Sequence, residues 1–148
     1  MKDKKDISPD RLISRYLPAD YFDSTSRNVR PEDSVNVDRL FALMFEDFPW
    51  PVQCLFTLRD TMVRPFGLKG GTAFREHIID RNDNEILVGM DDSHLEYAVS
   101  LYVAHGEMAE VSTAVRFHNV LGRVYFALIW CFHKILVTSQ FRRAMRKI

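Results

Sequence analysis

A histidine close to a carboxylate is the arrangement in this sequence best suited to acid–base chemistry. His94 follows Asp92 after one intervening residue, and a carboxylate beside an imidazole can orient a general base. Asp92 and Ser93 are also typical turn residues, so a turn leading into a half-buried His94 is the alternative interpretation. Asp92 and His94 are therefore the candidate catalytic residues, and whether the protein is an enzyme stays open at this point.

The remaining histidines and the cysteines follow no metal-binding pattern. The chain has five histidines and two cysteines, but their spacing is not that of zinc motifs, in which ligands come in closely spaced pairs. The sequence also contains no glycine-rich motif of the kind that holds a nucleotide phosphate. We therefore expect neither a metal site nor a cofactor.

A second set of residues, around the start of the last predicted helix, can bind an amphipathic molecule. The guanidinium of Arg123 and the phenol of Tyr125 can hold a carboxylate or phosphate head group, while apolar side chains enclose a tail. The alternative is structural, with Asn119 capping the helix and Arg123 solvated. The expected ligand-binding residues are Val99, Val115, Phe117, Arg123, Tyr125, Leu128 and Phe132.

Hydrophobic periodicity predicts the elements that must position these residues. Residues 21–29 favour a first strand, and two short helices follow, the second beginning at Pro49–Pro51. Alternation of apolar and polar residues then predicts four strands, and a long helix covers about residues 120–146. The predicted strands are Thr72–Asp80, Glu85–Met90, Leu95–Val103 and Ala109–Phe117. We expect a loose lead-in over residues 1–18, which can include a short helix at Arg11–Tyr16, and one domain over 19–148.

The last helix has apolar residues on two sides, so it has two surfaces to bury. One stripe, expected to cover the sheet, consists of Leu121, Tyr125, Leu128, Phe132, Ile135 and Leu136. The other stripe includes Phe126, Trp130 and Phe141, and we expect it to face a partner, a second copy of the chain, the lead-in segment or a membrane surface. A homodimer through these three residues and a peripheral contact with a membrane surface are the two hypotheses for an external contact.

Charge and composition limit the protein class. The 148 residues carry 20 basic and 20 acidic side chains, which disfavours a nucleic-acid partner. The N-terminal residues lack the apolar segment of a secretory signal, and the longest apolar run is too short to span a membrane, so we expect a cytoplasmic protein. No acidic residue follows Glu110, whereas seven basic ones do, so the chain has a basic end that favours either an anionic surface or simply the helix dipole.

Three segments of the chain are distinctive: LRDTMVRPFGLKGG, ILVGMDDSHLEYAVSLYV and TAVRFHNVLGRVYFALIWCFHKILV. Together they resemble an uncharacterised bacterial family, catalogued as domain of unknown function 2867, and the resemblance extends over about residues 21–143. It implies a relationship to the Bet v 1 and START-like superfamily, and hence the α+β helix-grip fold. In that fold a curved antiparallel sheet, here of about five to six strands, wraps around a long C-terminal helix. The order of the predicted elements suits this fold as well.

The resemblance implies no reaction, so the function is inferred from the fold. We expect a soluble binding module for a small hydrophobic or amphipathic ligand, held in a pocket between the sheet and the C-terminal helix. An enzyme of the same fold acting on a small apolar substrate is one alternative. An interaction protein that uses its basic C-terminal helix for dimerisation or membrane contact is the other.

Overall fold

A computed structural model of the chain describes residues 7–33, 35–66, 74–91, 93–104 and 107–148. Two layers make up the fold, a five-stranded antiparallel sheet and a helical layer dominated by the long C-terminal helix. The strands are β1 (Tyr21–Asn28), β2 (Ile78–Arg81), β3 (Glu85–Asp91), β4 (Leu95–Ala104) and β5 (Met108–Phe117). The α-helices are α1 (Val37–Phe41), which continues as a π-helical turn Ala42–Glu46, α2 (Trp50–Val63) and α3 (Val120–Lys147). The predicted α+β class is confirmed, and the architecture is consistent with a helix-grip fold.

The sheet has the strand order β1-β5-β4-β3-β2, with every neighbouring pair antiparallel. Strands β2 to β5 therefore form the predicted meander, and β1 is an edge strand paired with β5. The first strand of the meander is shorter than predicted, because Phe74–His77 forms a 3-10 helix before β2 begins.

The inner face of the sheet packs against the helices. Side chains such as Val99, Leu101 and Val111 form one buried cluster with Phe41 of α1 and Phe141 near the end of α3. Alternating strand residues supply this cluster because successive side chains point to opposite faces of a sheet. The helical layer thus covers only one side of the sheet.

The outer face of the sheet is covered by the N-terminal segment. A 3-10 helix over Leu12–Tyr16 buries Leu12 and Ile13 against small strand residues, among them Ala98 and Ala114. This 3-10 helix coincides with the short helix considered for Arg11–Tyr16 within the lead-in of residues 1–18. The central strands carry alanine and serine on this outward face, and these small side chains leave room for the segment. The alternation of apolar and polar residues along the strands did not predict that this face is covered.

Helix α3 presents a different face to the sheet from the one predicted. Its buried residues are Gly122, Phe126, Leu136, Gln140, Phe141 and Ala144, whereas Leu128 and Ile135 are 45% and 59% exposed. Phe126 and Phe141 therefore belong to the core of the chain's own domain. The homodimer through Phe126, Trp130 and Phe141 stays a prediction, and within the described chain Phe126 and Phe141 are buried.

Candidate functional site

A cleft of about 550 Å³ opens on the second half of α3, beside the end of β1. Its lining consists of Arg27, Lys134, Ile135, Thr138, Ser139, Arg142 and Arg146. Four of these side chains are cationic, two carry hydroxyl groups and one is apolar. No acidic side chain lines the cleft, so the lining is suited to an anion.

Helical spacing places the cleft residues of α3 together. Lys134, Thr138, Arg142 and Arg146 follow one another at intervals of four residues, which puts them along one side of the helix. Arg27 comes from β1 and reaches the same cleft because that strand lies at the edge of the sheet. Four cations around one opening concentrate positive potential in the cleft. Arg142 and Arg146, which are four residues apart on the helix, also repel each other.

Two neighbouring cations of α3 form ion pairs with the protein itself, in contrast to those of the cleft. The guanidinium of Arg143 lies 3.0 Å from Asp47 and the ammonium of Lys147 lies 2.7 Å from the same carboxylate. The hydrogen bond from Lys147 is the main reason why the pKa of Asp47 is lowered. In the described part of the chain, Arg27, Lys134, Arg142 and Arg146 form no such ion pair. Their charge is therefore available to an external anion.

The first half of α3 exposes an apolar strip on the same side as Arg142 and Arg146. We call this strip, which consists of Val120, Val124, Leu128, Cys131 and Ile135, the outer face of α3. Val120 is 74% exposed and Val124 is 46% exposed. Large contiguous apolar surfaces of this kind are typical of interaction sites.

Among the described residues α3 is the one helix long and apolar enough to cross a membrane by length and composition alone. Its most apolar 18-residue window has a mean hydropathy of 1.6, and 17% of that window is buried. The short uninterrupted apolar run noted in the sequence thus lies within a helix that is long enough to span. The helix nevertheless packs on the sheet through Phe126 and Phe141, as a helix of a soluble domain does, so its length is weak evidence for a span.

The ligand-binding residues predicted from the sequence lie elsewhere. Val115, Phe117 and Tyr125 meet in a cluster with Phe126 at the start of α3, and the Arg123 guanidinium lies 5.2 Å from the centre of the Phe117 ring. Val99 is buried in the main core, Phe132 is half-buried, and Leu128 lies on the outer face of α3. None of the seven lines the cleft. Ligand binding by these residues stays a prediction.

Asp92, one of the two catalytic candidates, lies outside the described residues. His94 is half-buried, and its Nδ1 lies 3.2 Å from the side-chain nitrogen of Asn119. Asn119 also accepts a hydrogen bond from the Gly122 backbone and so caps α3. A carboxylate–imidazole contact does occur nearby, but between other residues, since His118 Nε2 lies 2.6 Å from Asp91 Oδ1. The Asp91–His118 pair is exposed, which is typical of a loop contact.

The interior between β1 and α3 contains polar groups that the sequence analysis did not single out. The Tyr21 hydroxyl donates to Asp23 over 2.5 Å, and burial is the main cause of the raised pKa of Tyr21. Thr113, opposite Asp23 in the sheet register, and His133 of α3 each bury a polar atom without a hydrogen-bond partner among the described residues. Burial lowers the pKa of His133, and the charge of Asp23 partly offsets this. His133 is therefore neutral at physiological pH.

A metal ion finds no ready site in the described residues, where no three histidine, cysteine, aspartate or glutamate side chains are grouped to hold one. The cleft was not predicted because Arg27, its one residue outside α3, lies more than a hundred positions before Lys134. The signal that could have indicated it is the spacing of Lys134, Arg142 and Arg146, which are eight and four residues apart near the C-terminus.

Comparisons with known proteins give a family and no activity. No curated protein and no solved structure matches the chain. A family model described as "Protein of unknown function (DUF2867)" matches residues 16–140, which is most of the chain and includes all five strands. The relationship to the Bet v 1 and START-like proteins and a bacterial origin remain predictions. The chain belongs to the DUF2867 family, whose function is unknown.

Proposed function

We propose that this protein is a binding module for a small amphipathic anion, which it holds in the cleft between β1 and α3. The observation that carries the proposal is the unneutralised charge of Arg27, Lys134, Arg142 and Arg146 around one opening. A phosphate or carboxylate head group would lie among these cations, and a short apolar part would contact Ile135.

The chemistry of the lining favours a phosphate or carboxylate. The planar guanidinium of arginine can donate two parallel hydrogen bonds to either group. The hydroxyl groups of Thr138 and Ser139 can donate further hydrogen bonds, and the volume of about 550 Å³ falls within the range of small-molecule sites.

One electrostatic effect opposes an anion here, and it is the smaller one. The cleft lies towards the C-terminal end of α3, where the helix dipole is negative and disfavours an anion by roughly 0.3–1 kcal/mol. Each exposed ion pair contributes about 0–1 kcal/mol. Four exposed cations line the cleft, so we expect their summed attraction to outweigh the dipole.

Isothermal titration calorimetry with octyl phosphate tests the proposal. The wild-type protein is expected to bind octyl phosphate more tightly than inorganic phosphate, and not to bind octyl glucoside, which has the tail without the charge. Replacing Arg142 and Arg146 together with glutamine should weaken binding by about tenfold or more, since two charged donors are lost. Binding should also weaken with added salt.

The matched control is Arg81→Gln, which removes an exposed cation on β2, at the sheet edge opposite β1, that does not line the cleft. This variant should bind octyl phosphate as the wild type does. An equal loss in Arg81→Gln would mean that only the overall charge matters. A wild-type protein that binds none of the three molecules would refute the proposal.

A further inference from the structure

We infer that the outer face of α3 docks on an anionic lipid bilayer, with the apolar strip in the interfacial region and the cleft cations against lipid phosphates. The inference rests on the proposed function, because it uses the same cations. It adds an extended partner to the small ligand considered above.

The length of the strip favours an extended partner. Val120 and Ile135 are separated by fifteen residues of one helix, which corresponds to about 22 Å at a rise of 1.5 Å per residue. Arg146 continues the same side of the helix for roughly another 16 Å. A single small molecule in the cleft leaves most of this strip in water, whereas a bilayer surface can cover it from end to end.

Exposure along the strip is that of an unpaired surface. Val124, Leu128 and Ile135 are each about half exposed, although all three are large and apolar. The opposite side of the helix is fixed to the sheet by Phe126 and to the core by Phe141. The helix can therefore rest on a bilayer without leaving the domain, which makes the contact peripheral.

Charge selects a bilayer over a second copy of the chain. No acidic residue follows Glu110, so α3 carries only cations. In a dimer packed through this face, the cations of each α3 would face the α3 of the other copy, which carries no acidic residue to pair with them. An anionic leaflet has complementary charge, and each basic residue near such a surface strengthens binding by roughly fivefold.

A tryptophan–lysine pair lies at the edge of the strip. Trp130 is 39% exposed, and the Lys134 ammonium lies 5.5 Å from the centre of its ring. Tryptophan is enriched at membrane–water interfaces, and lysine extends its charged end towards head groups while its stem stays in apolar surroundings. Both side chains are thus suited to the boundary between the strip and an aqueous surface.

Vesicle flotation tests the inference with two lipid compositions. The protein is expected to float with phosphatidylcholine vesicles that contain 30% phosphatidylglycerol, and not with pure phosphatidylcholine, and high salt should release it. Replacing Val124 and Leu128 together with serine should weaken binding at least tenfold. Leu58→Ser is the matched control, since Leu58 is 47% exposed on α2, against 45% for Leu128 on α3, and it should float as the wild type does.

Fluorescence gives a second, local measurement. The chain has two tryptophans, so Trp50→Phe leaves Trp130 as the single reporter. Docking should shift the Trp130 emission to the blue with the phosphatidylglycerol vesicles only.

Three results would overturn the inference. One is the absence of binding to the anionic vesicles, and another is unchanged binding of the Val124→Ser, Leu128→Ser double variant. The third is a wild-type dimer in sedimentation that the double variant abolishes, since a second copy would then cover the face. Binding of octyl phosphate separates the two proposals, because Val124 and Leu128 do not line the cleft. If octyl phosphate binds and vesicles do not, the docking inference alone fails.

Discussion

The N-terminal segment is held to the sheet by a buried ionic cluster, and removing Arg11, the cation of this cluster among the described residues, should destabilise the protein strongly. The guanidinium of Arg11 lies 2.9 Å from Glu110 and 3.3 Å from Glu85, and it also stacks 3.8 Å from the centre of the Tyr102 ring. The side chains of Glu85 and Glu110 are 1% and 0% exposed, and that of Arg11 is 10% exposed. Within the part of the chain that the structure describes, these two buried carboxylates share the guanidinium of Arg11.

The carboxylate of Glu85 also fixes the start of the 3-10 helix. It accepts hydrogen bonds from the backbone N–H groups of Leu12 and Ile13, at 2.7 and 3.3 Å, and another from the hydroxyl of Ser100. These bonds keep Glu85 in place when Arg11 is replaced. When Arg11 is replaced, the Glu85 carboxylate therefore stays buried without its counter-ion and does not become exposed to solvent.

Arg11→Met is the sharpest perturbation, because methionine keeps an unbranched stem against Tyr102 and removes only the charge and the donors. Breaking a buried ion pair by removing one partner costs about 3–5 kcal/mol, out of a total stability of about 5–15 kcal/mol for a typical domain. Urea unfolding followed by circular dichroism should show this loss. The segment before β1 should also become more sensitive to proteases.

The control for this prediction lies in the same 3-10 helix. Arg15 pairs with Asp80 at 2.6 Å, but the two side chains are 61% and 39% exposed. Exposed pairs contribute about 0–1 kcal/mol, so Arg15→Met should change the free energy of unfolding by no more than that. If Arg11→Met costs no more than Arg15→Met, water reaches the cluster and the reasoning from burial is refuted.

Three further predictions concern α3 and its contacts. Since burial lowers the pKa of His133 below its usual 6.5, the unfolded chain binds a proton that the folded chain does not, and stability should fall as the pH drops below about 6.5. This loss between pH 7 and pH 5, measured from urea midpoints, should be smaller in His133→Gln. Gly122→Ala should lower the melting temperature, because a Cβ there would lie 2.1 Å from the His94 carbonyl oxygen. Asp47→Asn removes the carboxylate that Lys147 contacts, so amide hydrogens in the last turn of α3 should exchange faster in NMR.

The central sheet was predictable because its alternation is regular. Leu95 and Val99 alternate with more polar neighbours in β4, and the observed strand runs from Leu95 to Ala104. The covering of the second sheet face was not predictable in the same way. Glu85 and Glu110 carry charges that are normally exposed, so their positions suggested a solvated face. Arg11 and the 3-10 helix make their burial tolerable, and this pairing depends on residues some 75 to 100 positions away.

The orientation of α3 could not be decided from periodicity. Apolar residues lie all around the helix, and the energy gained by burying either stripe looks similar from the sequence. Small residues decided the packing, since Gly122 lets the helix approach the backbone of His94, and Ala144 fits against the main core. Gln140 was misleading because a polar residue suggests an exposed face, whereas its side chain is buried and donates to the Met44 carbonyl oxygen over 3.2 Å.

Because of this packing, the residues of α3 that stabilise the fold differ from those that are proposed to bind. Phe126 and Phe141 hold the helix to the sheet and the core, so their truncation to alanine should cost about 3–5 kcal/mol. The side chains of Leu128 and Arg142 are exposed on the other side of the helix, where substitutions usually change stability by less than about 0.5 kcal/mol. Variants of the outer face and of the cleft can therefore lose a ligand or a surface and remain folded. If those substitutions unfolded the protein as Phe126→Ala does, the division of α3 into a packing side and a binding side would be wrong.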